Sequence, residues 1–289
     1  MMAQKRQFSK KWTIARRAVQ LLVIVLFLSP VIVAEIEGEP FFFGSLASSS
    51  FLGIVLSDPF AALQIIAASK IIHWTYLGGA CIIFIFYTVI RGRVFCSWVC
   101  PVNTLLEGVD KIRSYVPLPD QPMNRRLKVY LAAVILILSF FTGVPVFELI
   151  SPIAILMRNL LFIIGIGGWF LLAILIMEVF ISRRGWCRSL CPLGGFYQSI
   201  GRFGRFQVQI NHEQCTGCDV CRAVCLADPI ILEPAITRES EFVIAGDCSL
   251  CGECVDHCPF QAITIEKKKN RLFTDVKVDL TNFQKENRI

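Results

Sequence analysis

Eight of the thirteen cysteines fall into two copies of one spacing, Cys215-x2-Cys218-x2-Cys221-x3-Cys225 and Cys248-x2-Cys251-x2-Cys254-x3-Cys258-Pro259. Three thiolates on one tight turn reach three irons of a cubane, while the fourth points away and ligates a neighbouring cluster. The spacing therefore predicts two [4Fe–4S] clusters with crossed ligand sets. Cys215, Cys218, Cys221 and Cys258 would hold one, and Cys248, Cys251, Cys254 and Cys225 the other. Zinc sites use paired Cys-x2-Cys knuckles, and a repeated four-cysteine run does not read that way. Leu226 stands where the second run has Pro259. Proline is no ligand, so the difference touches turn geometry only. A chain built around this pair of runs moves electrons.

Little of the remaining sequence suits water. The chain is 55% hydrophobic and 18% charged, with mean hydropathy +0.61, which is too apolar for a soluble protein of its length. Four runs with few or no charges, roughly Ala18–Ala34, Ile71–Ile90, Val129–Phe147 and Leu160–Ile181, are long enough to cross a hydrocarbon core of about 30 Å as helices. The first follows basic residues, but Val33-Ala34-Glu35-Ile36 is a poor cleavage site, so it reads as a retained span. Lys5, Arg6, Lys10, Lys11, Arg16 and Arg17 precede it, and Arg91, Arg93, Lys111, Arg113, Arg125, Arg126 and Lys128 lie between the second and third spans. The alternate connections carry Glu35, Glu37, Glu39, Asp58 and Glu148 against Lys70 and Arg158. This asymmetry predicts both termini and the eight cysteines in the cytoplasm, where thiols stay reduced. The net charge of +7 is then topology and leaflet contact, and implies no nucleic acid. Phe41–Ser69, broken by Gly44, Gly53 and Asp58-Pro59, suits an interfacial or re-entrant segment.

The apolar region repeats itself. Each half has a span, an outer Pro-containing turn (at Pro59 and Pro152), a second span and a cysteine motif: Arg93-Val-Phe-Cys96-Ser-Trp-Val-Cys100-Pro101, then Arg184-Gly-Trp-Cys187-Arg-Ser-Leu-Cys191-Pro192. Cys96 to Cys187 and Cys100 to Cys191 are both offsets of 91 residues, which predicts two halves related by an axis along the membrane normal. Cysteines four apart share one helix face, and proline suits the first turn of a following helix. Cys96, Cys100, Cys187 and Cys191 are therefore a further candidate metal or redox site, against the plainer reading as small packed residues.

These motifs, together with Gly185-Trp186-Cys187 and the Asp58-Pro59 turn, resemble the NapH family over nearly the whole chain. The resemblance implies a membrane ferredoxin-type subunit of a quinol dehydrogenase, taking electrons from quinol. With a periplasmic ferredoxin-type partner resembling NapG, it would pass them toward periplasmic nitrate reductase. Membrane ferredoxins with the same Cys-x3-Cys-Pro pairs also include assembly factors, so the alternative is an assembly or redox-maturation role for a respiratory metalloenzyme.

The expected architecture is an integral inner-membrane, multi-pass, mainly α protein. Residues 1–205 would form four transmembrane helices in two parallel pseudo-repeats, residues 206–270 an α+β ferredoxin domain with two clusters, and residues 271–289 a tail. Gln207–Ile210, Phe242–Ala245 and Ala262–Ile265 read as its strands. His73, His212 and His257 are too scattered for a haem or zinc set. Cys81 reads as core, Trp74, Trp169 and Trp186 as interface anchors or packing, and Gly165, Gly167 and Gly168 as close helix packing. Lys267, Lys268 and Lys269 read as a solvated face. Glu148 and Glu178, ionisable groups near predicted span ends, are functional-site candidates, against the plainer reading that both simply reach water; Glu148, Asp58 and His73 are candidate acceptors of quinol protons.

Overall fold

The computed structural model describes residues 10–34, 42–44, 48–51, 54–72, 74–115, 120–121, 123–161, 167–244 and 246–267. His73, Gly165, Lys268, Lys269 and the expected 271–289 tail lie outside them. The longest element is α1, Lys11–Ala34, followed by a small antiparallel sheet of β1 (Phe42–Gly44), β2 (Ser48–Phe51) and β3 (Ile54–Ser57). The segment read as interfacial or re-entrant is thus a sheet followed by helix α2, Pro59–Ser69. Asp58 starts α2, because its Oδ2 accepts hydrogen bonds from the Phe60 and Ala61 amides at 3.0 Å and proline fits the first helical position. Lys70, left-handed at φ 56°, ends it.

Helix α3, Trp74–Ile90, leads to the short α4, Val94–Trp98, and to α5, Pro101–Ser114. The second half follows the same order. Helix α6, Leu127–Thr142, is joined by α7, Val146–Ile150, to α8, Pro152–Leu161. Then come α9, Gly167–Phe180, a π-helical turn at Trp186–Leu190, and α10, Pro192–Ile200. The succession α2–α5 is therefore repeated as α8–α10, with Asp58 and Ser151 at equivalent starts.

Among the described residues one helix, within Lys11–Ser29, is long and apolar enough to cross a membrane; α2, α3, α6 and α9 are shorter apolar helices. Two expected spans are shorter than the apolar runs that predicted them, for local reasons: the left-handed Lys70 delays the start of α3 and left-handed Gly143 ends α6. Residues 162–166 of the fourth run lie outside the described residues. These helices nonetheless turn bulky apolar side chains outward, including Trp74 (77% exposed), Phe141 (79%) and Trp169 (73%). Cys81, expected in the core, is also exposed, because the buried face of α3 is carried by Gly79, Ala80 and Tyr87.

The inward faces meet around Phe60, Tyr87, Phe95, Leu106, Ile135, Phe147 and Tyr197. Helix α10 approaches α6 so closely that a Cβ on Gly195 would stand 2.2 Å from the Lys128 carbonyl oxygen. The C-terminal part pairs β4, Phe206–Ile210, with β5, Ile263–Lys267, in antiparallel register Val208 to Ile265. The strand expected at Phe242–Ala245 is reduced to one bridge, Gln209 to Phe242. Short helices α11 (Val220–Ala223), α12 (Glu233–Ile236) and α13 (Glu253–Asp256) complete this part, over a core of Val208, Ile210, Ile231, Leu232 and Val243.

The two parts are firmly joined. Asp256 in α13 caps α1 from outside, accepting from the Thr13 amide at 2.8 Å and its hydroxyl at 2.9 Å. Buried Arg16 in α1 bridges Glu107 of α5 and Glu253 of α13. Gly252, at φ 76°, lies under Trp12, where any Cβ would stand 2.3 Å from the Trp12 Cβ.

Candidate metal centres

Both four-cysteine runs are wound by the same backbone device. Left-handed residues stand two and four places after each first cysteine: Gly217 and Asp219 after Cys215, Leu250 and Gly252 after Cys248. Each reversal turns the next cysteine back toward the same interior point. The result is two separate cavities. One is lined by Cys215, Cys218, Cys221 and Cys258 together with Ile210 and Ile236. The other is lined by Cys225, Cys248, Cys251 and Cys254 together with Val208 and Ile231. Each cavity thus takes three cysteines of one run and the last of the other.

Their settings differ. Cys248, Cys251 and Cys254 are buried, whereas Cys218 is exposed, so the first cavity is the outer one. Backbone amides address the sulfurs, Ala262 to Cys258 Sγ at 3.3 Å and Leu250 to Cys248 Sγ at 3.5 Å. Such donors favour charge on a cluster sulfur and tune its potential.

The four repeat cysteines also converge. Cys96, Cys100, Cys187 and Cys191 pack against the same buried core beside Phe95 and Tyr197. The pairs do not lie along single α-helices as their spacing had predicted. Cys96 sits in α4 and Cys187 in the π-helical turn, whereas Cys100 and Cys191 are the residues that start α5 and α10 ahead of Pro101 and Pro192. The chain breaks between the partners, and the break lets both thiols face one point. Burial, reinforced by Cys96, pushes the Cys191 thiol up to about 12, against the pull of Arg93 and Lys128. Burial likewise raises Cys100 and Cys187. Cys100 is buried and Cys96, Cys187 and Cys191 are partly buried, and four thiolates gathered there need cationic compensation, which a bound metal centre supplies.

The surroundings suit an anionic thiolate centre. Arg93, Lys128, Arg184 and Arg188 are all buried. The Arg93 charge lies near Cys96 and Cys187, and Arg184 Nη2 and Arg188 Nε have no hydrogen-bond acceptor among the described residues. Among those residues no three Cys, His, Asp or Glu side chains are placed to hold a single metal ion.

The repeat site and the inner cavity share a wall. Arg93 Nη1 donates to the Asp247 carbonyl at 2.7 Å and Nη2 to the Cys187 carbonyl at 3.3 Å. Ser97 Oγ donates to the Ser249 carbonyl at 2.7 Å and Trp98 Nε1 to that of Leu250 at 3.1 Å. From the second motif, Arg188 pairs with buried Asp228 at 3.2 Å, three residues beyond Cys225.

Comparison with known proteins agrees with this layout. A family model described as a 4Fe-4S binding domain matches twice, at residues 72–119 and 162–211, once over each Cys-x3-Cys-Pro motif. A second, with the same description, matches residues 241–264 around the Cys248 run. The chain is 34% identical to the methylamine utilization ferredoxin-type protein MauN of Methylorubrum extorquens, covering 86% of each chain. It is 33% identical to MauN of Methylobacillus flagellatus over 94% of this chain and 95% of that one. To the ferredoxin-type protein NapH of Escherichia coli it is 32% identical over 89% and 90%. The chain belongs to the NapH/MauN family of ferredoxin-type proteins. No solved structure matches it. As a NapH-like chain with 4Fe-4S binding domains it serves electron transfer.

Arg16, Arg113, Arg125 and Lys128, which the sequence offers as topology signals, are buried or nearly so and engaged in ion pairs, as is Arg93, which also opens the first cysteine motif. The 91-residue echo of Arg93 in Arg184 was the available clue. Glu178 does not reach water. It is 2% exposed and accepts hydrogen bonds from the amides of Gly185 and Trp186 at 3.1 and 2.8 Å, so it anchors the turn that carries Cys187. Glu148 is half-buried, and Asp58 is buried against Tyr197.

Proposed function

We propose that this chain is the electron-transfer subunit of a membrane quinol dehydrogenase, passing electrons from a hydroquinone through iron–sulfur centres toward a periplasmic oxidoreductase. The observation that carries this reading is the contact sequence of its cysteines. The repeat set adjoins the inner cavity through Arg93, Ser97 and Trp98, and the inner cavity adjoins the outer one through the shared runs. In this account Cys225, Cys248, Cys251 and Cys254 hold one [4Fe–4S] cluster and Cys215, Cys218, Cys221 and Cys258 the other. Cys96, Cys100, Cys187 and Cys191 hold a third metal centre. Iron–sulfur clusters supply one-electron steps that divide the two-electron oxidation of a hydroquinone. Arg93, Lys128, Arg184 and Arg188 compensate the thiolate charge, and the apolar wall from Phe95 and Leu193 keeps water out.

Helices α1, α3, α6 and α9 are proposed to cross the membrane. Their outward Leu, Ile, Phe and Trp side chains support this, since a contiguous apolar belt of that extent marks contact with lipid or another protein. The basic residues at one end support a cytoplasmic location for both termini and the ferredoxin part, in a bacterial inner membrane. The family relation to NapH supports a periplasmic ferredoxin-type partner resembling NapG and delivery to periplasmic nitrate reductase. Relatives named for methylamine utilization are equally similar, so deletion of the gene followed by growth on nitrate or on methylamine identifies the system served.

Anaerobic membranes holding this chain and its partner provide the test. Added hydroquinone should generate the reduced [4Fe–4S] EPR signal and a quinone-site inhibitor should block it, with dithionite as the positive control. Dithionite reduction without any hydroquinone response would reject the reading.

One observation favours a second reading: all three cysteine sets gather at one end of the helices, which leaves no path of this chain's own to the opposite face. A redox-maturation role would use clusters placed there. It predicts a target enzyme that accumulates without its metal in a deletion strain while hydroquinone oxidation is unchanged.

A further inference from the structure

The two halves differ at one buried place. Both α2 and α8 begin with a polar residue ahead of proline, but the first half uses Asp58 and the second Ser151, whose Oγ accepts from the Ala154 amide at 3.5 Å. A hydroxyl therefore suffices to cap this helix. In the first half the cap uses only Oδ2 of Asp58, leaving Oδ1 to accept a 2.6 Å hydrogen bond from the Tyr197 hydroxyl. By the 91-residue offset, the counterpart of Tyr197 in the first half is Leu106. The Asp58–Tyr197 pair joins α2 of the first half to α10 of the second, and the equivalent positions on α8 and α5 hold an alcohol and an alkyl chain. Helix capping and core filling explain Ser151 and Leu106, and leave the charge of Asp58 and the hydroxyl of Tyr197 unaccounted for.

The pair lies next to the repeat-cysteine site. The Tyr197 ring stacks on Phe95, with centroids 5.2 Å apart and planes inclined by 26°, and Phe95 precedes Cys96. Tyr87 packs edge-on against both rings. Tyr197 is fully buried and Asp58 is 6% exposed, so charge at either place is felt through a medium of low polarisability. The groups facing the pair are Tyr87 from α3, Cys96 from α4 and Glu148 from α7, with Arg158 of α8 beyond Glu148. Of the buried α6 residues, Ala132, Ile135 and Ser139 carry no charge, and Lys128 is directed to Asp247 and Cys96. Among the described residues no cation pairs with Asp58. Burial raises its carboxyl to about 6 in spite of the Tyr197 hydrogen bond.

We propose that Asp58, positioned by Tyr197, is a redox-linked proton site: it takes up one proton when the centre held by Cys96, Cys100, Cys187 and Cys191 gains one electron, and releases it on reoxidation. This rests on the proposed third centre. The electron comes from a lipid-soluble hydroquinone, or from dithionite in vitro, and the proton from that donor or from water. The carboxylate becomes a neutral acid, so one negative charge arrives at the centre as another disappears beside it. The two protons and two electrons of a hydroquinone would then leave by neighbouring groups.

The test is an EPR-monitored redox titration of the intact, anaerobically purified chain at several pH values, together with redox-difference infrared spectra. The reduction equilibrium of the repeat-cysteine centre should shift about tenfold per pH unit above the Asp58 titration range, equivalent to about 59 mV for one electron. A protonated-carboxyl band should appear on reduction. Asp58→Ser keeps the cap chemistry seen at Ser151, so the helix should stay formed while the pH dependence and the band vanish. Tyr197→Phe should keep the band, displaced in frequency by the lost hydrogen bond. An Asp58→Ser protein with unchanged pH dependence and band overturns the proposal and leaves the electron-transfer reading intact. Absence of any signal or iron attributable to the repeat cysteines removes the third centre and this inference together.

Discussion

Arg93 and Asp247 meet twice: the guanidinium donates to the Asp247 carbonyl at 2.7 Å and lies 3.7 Å from its carboxylate. Arg125 and Lys128 approach the same carboxylate at 3.8 and 3.5 Å. Asp247 is the residue before Cys248, so three cations of the helical part converge on the start of a cluster-binding run. Replacing Asp247 by Asn should strand that buried positive charge and cost about 3–5 kcal/mol. The expected result is a lower unfolding midpoint in detergent and loss of cluster absorbance. Arg125→Gln, at the more open edge of the group, should cost under about 1 kcal/mol.

Changing Cys96, Cys100, Cys187 and Cys191 together to Ser should remove about one third of the bound iron and sulfide if all three sites hold cubanes. Visible absorbance of the two remaining clusters should persist. Equal iron in both proteins would return the repeat cysteines to a packing or dithiol role.

How much of this was legible depends on what each signal measures. The crossed grouping of the eight cysteines followed from their spacing because ligand geometry is local, and the two cavities gather the same sets. The repeat was visible because Arg, Cys and Pro recur at one offset. Helix lengths were less legible, since hydropathy does not see a left-handed stop such as Lys70 or Gly143. Cys81 was misplaced because a helix that is apolar all round has no polar side to mark its exposed face. The burial of Arg93 and Arg188 depends on Asp247 and Asp228 from a distant part of the chain, which no window of sequence contains.

The exposed position of Cys81 on α3 gives a direct topology measurement. In a membrane it should react with a small lipid-soluble maleimide and resist a charged one. Cleavage sites engineered into the ferredoxin part should be protected in spheroplasts and cut only after lysis. Labelling of Cys81 by the charged reagent in intact membranes would contradict a lipid-facing α3.

Docking of the ferredoxin part depends on Gly252 beneath Trp12. Gly252→Ala introduces a Cβ both at positive φ and into the ring-bearing side chain, so about 1–3 kcal/mol should be lost. The effect should show as faster proteolysis of the ferredoxin part and faster cluster loss in air. Gly108→Ala on α5, where a Cβ meets nothing within 4 Å, should be neutral or slightly stabilising.

On the proposed route, electrons reach the two ferredoxin clusters by way of the repeat cysteines. EPR of the protein with Ser at 96, 100, 187 and 191, in membranes with its partner, after hydroquinone and then after dithionite, decides this. The substituted protein should show no cluster reduction by hydroquinone and full reduction by dithionite, and the unsubstituted protein reduction by both. Undiminished hydroquinone reduction in the substituted protein would contradict it.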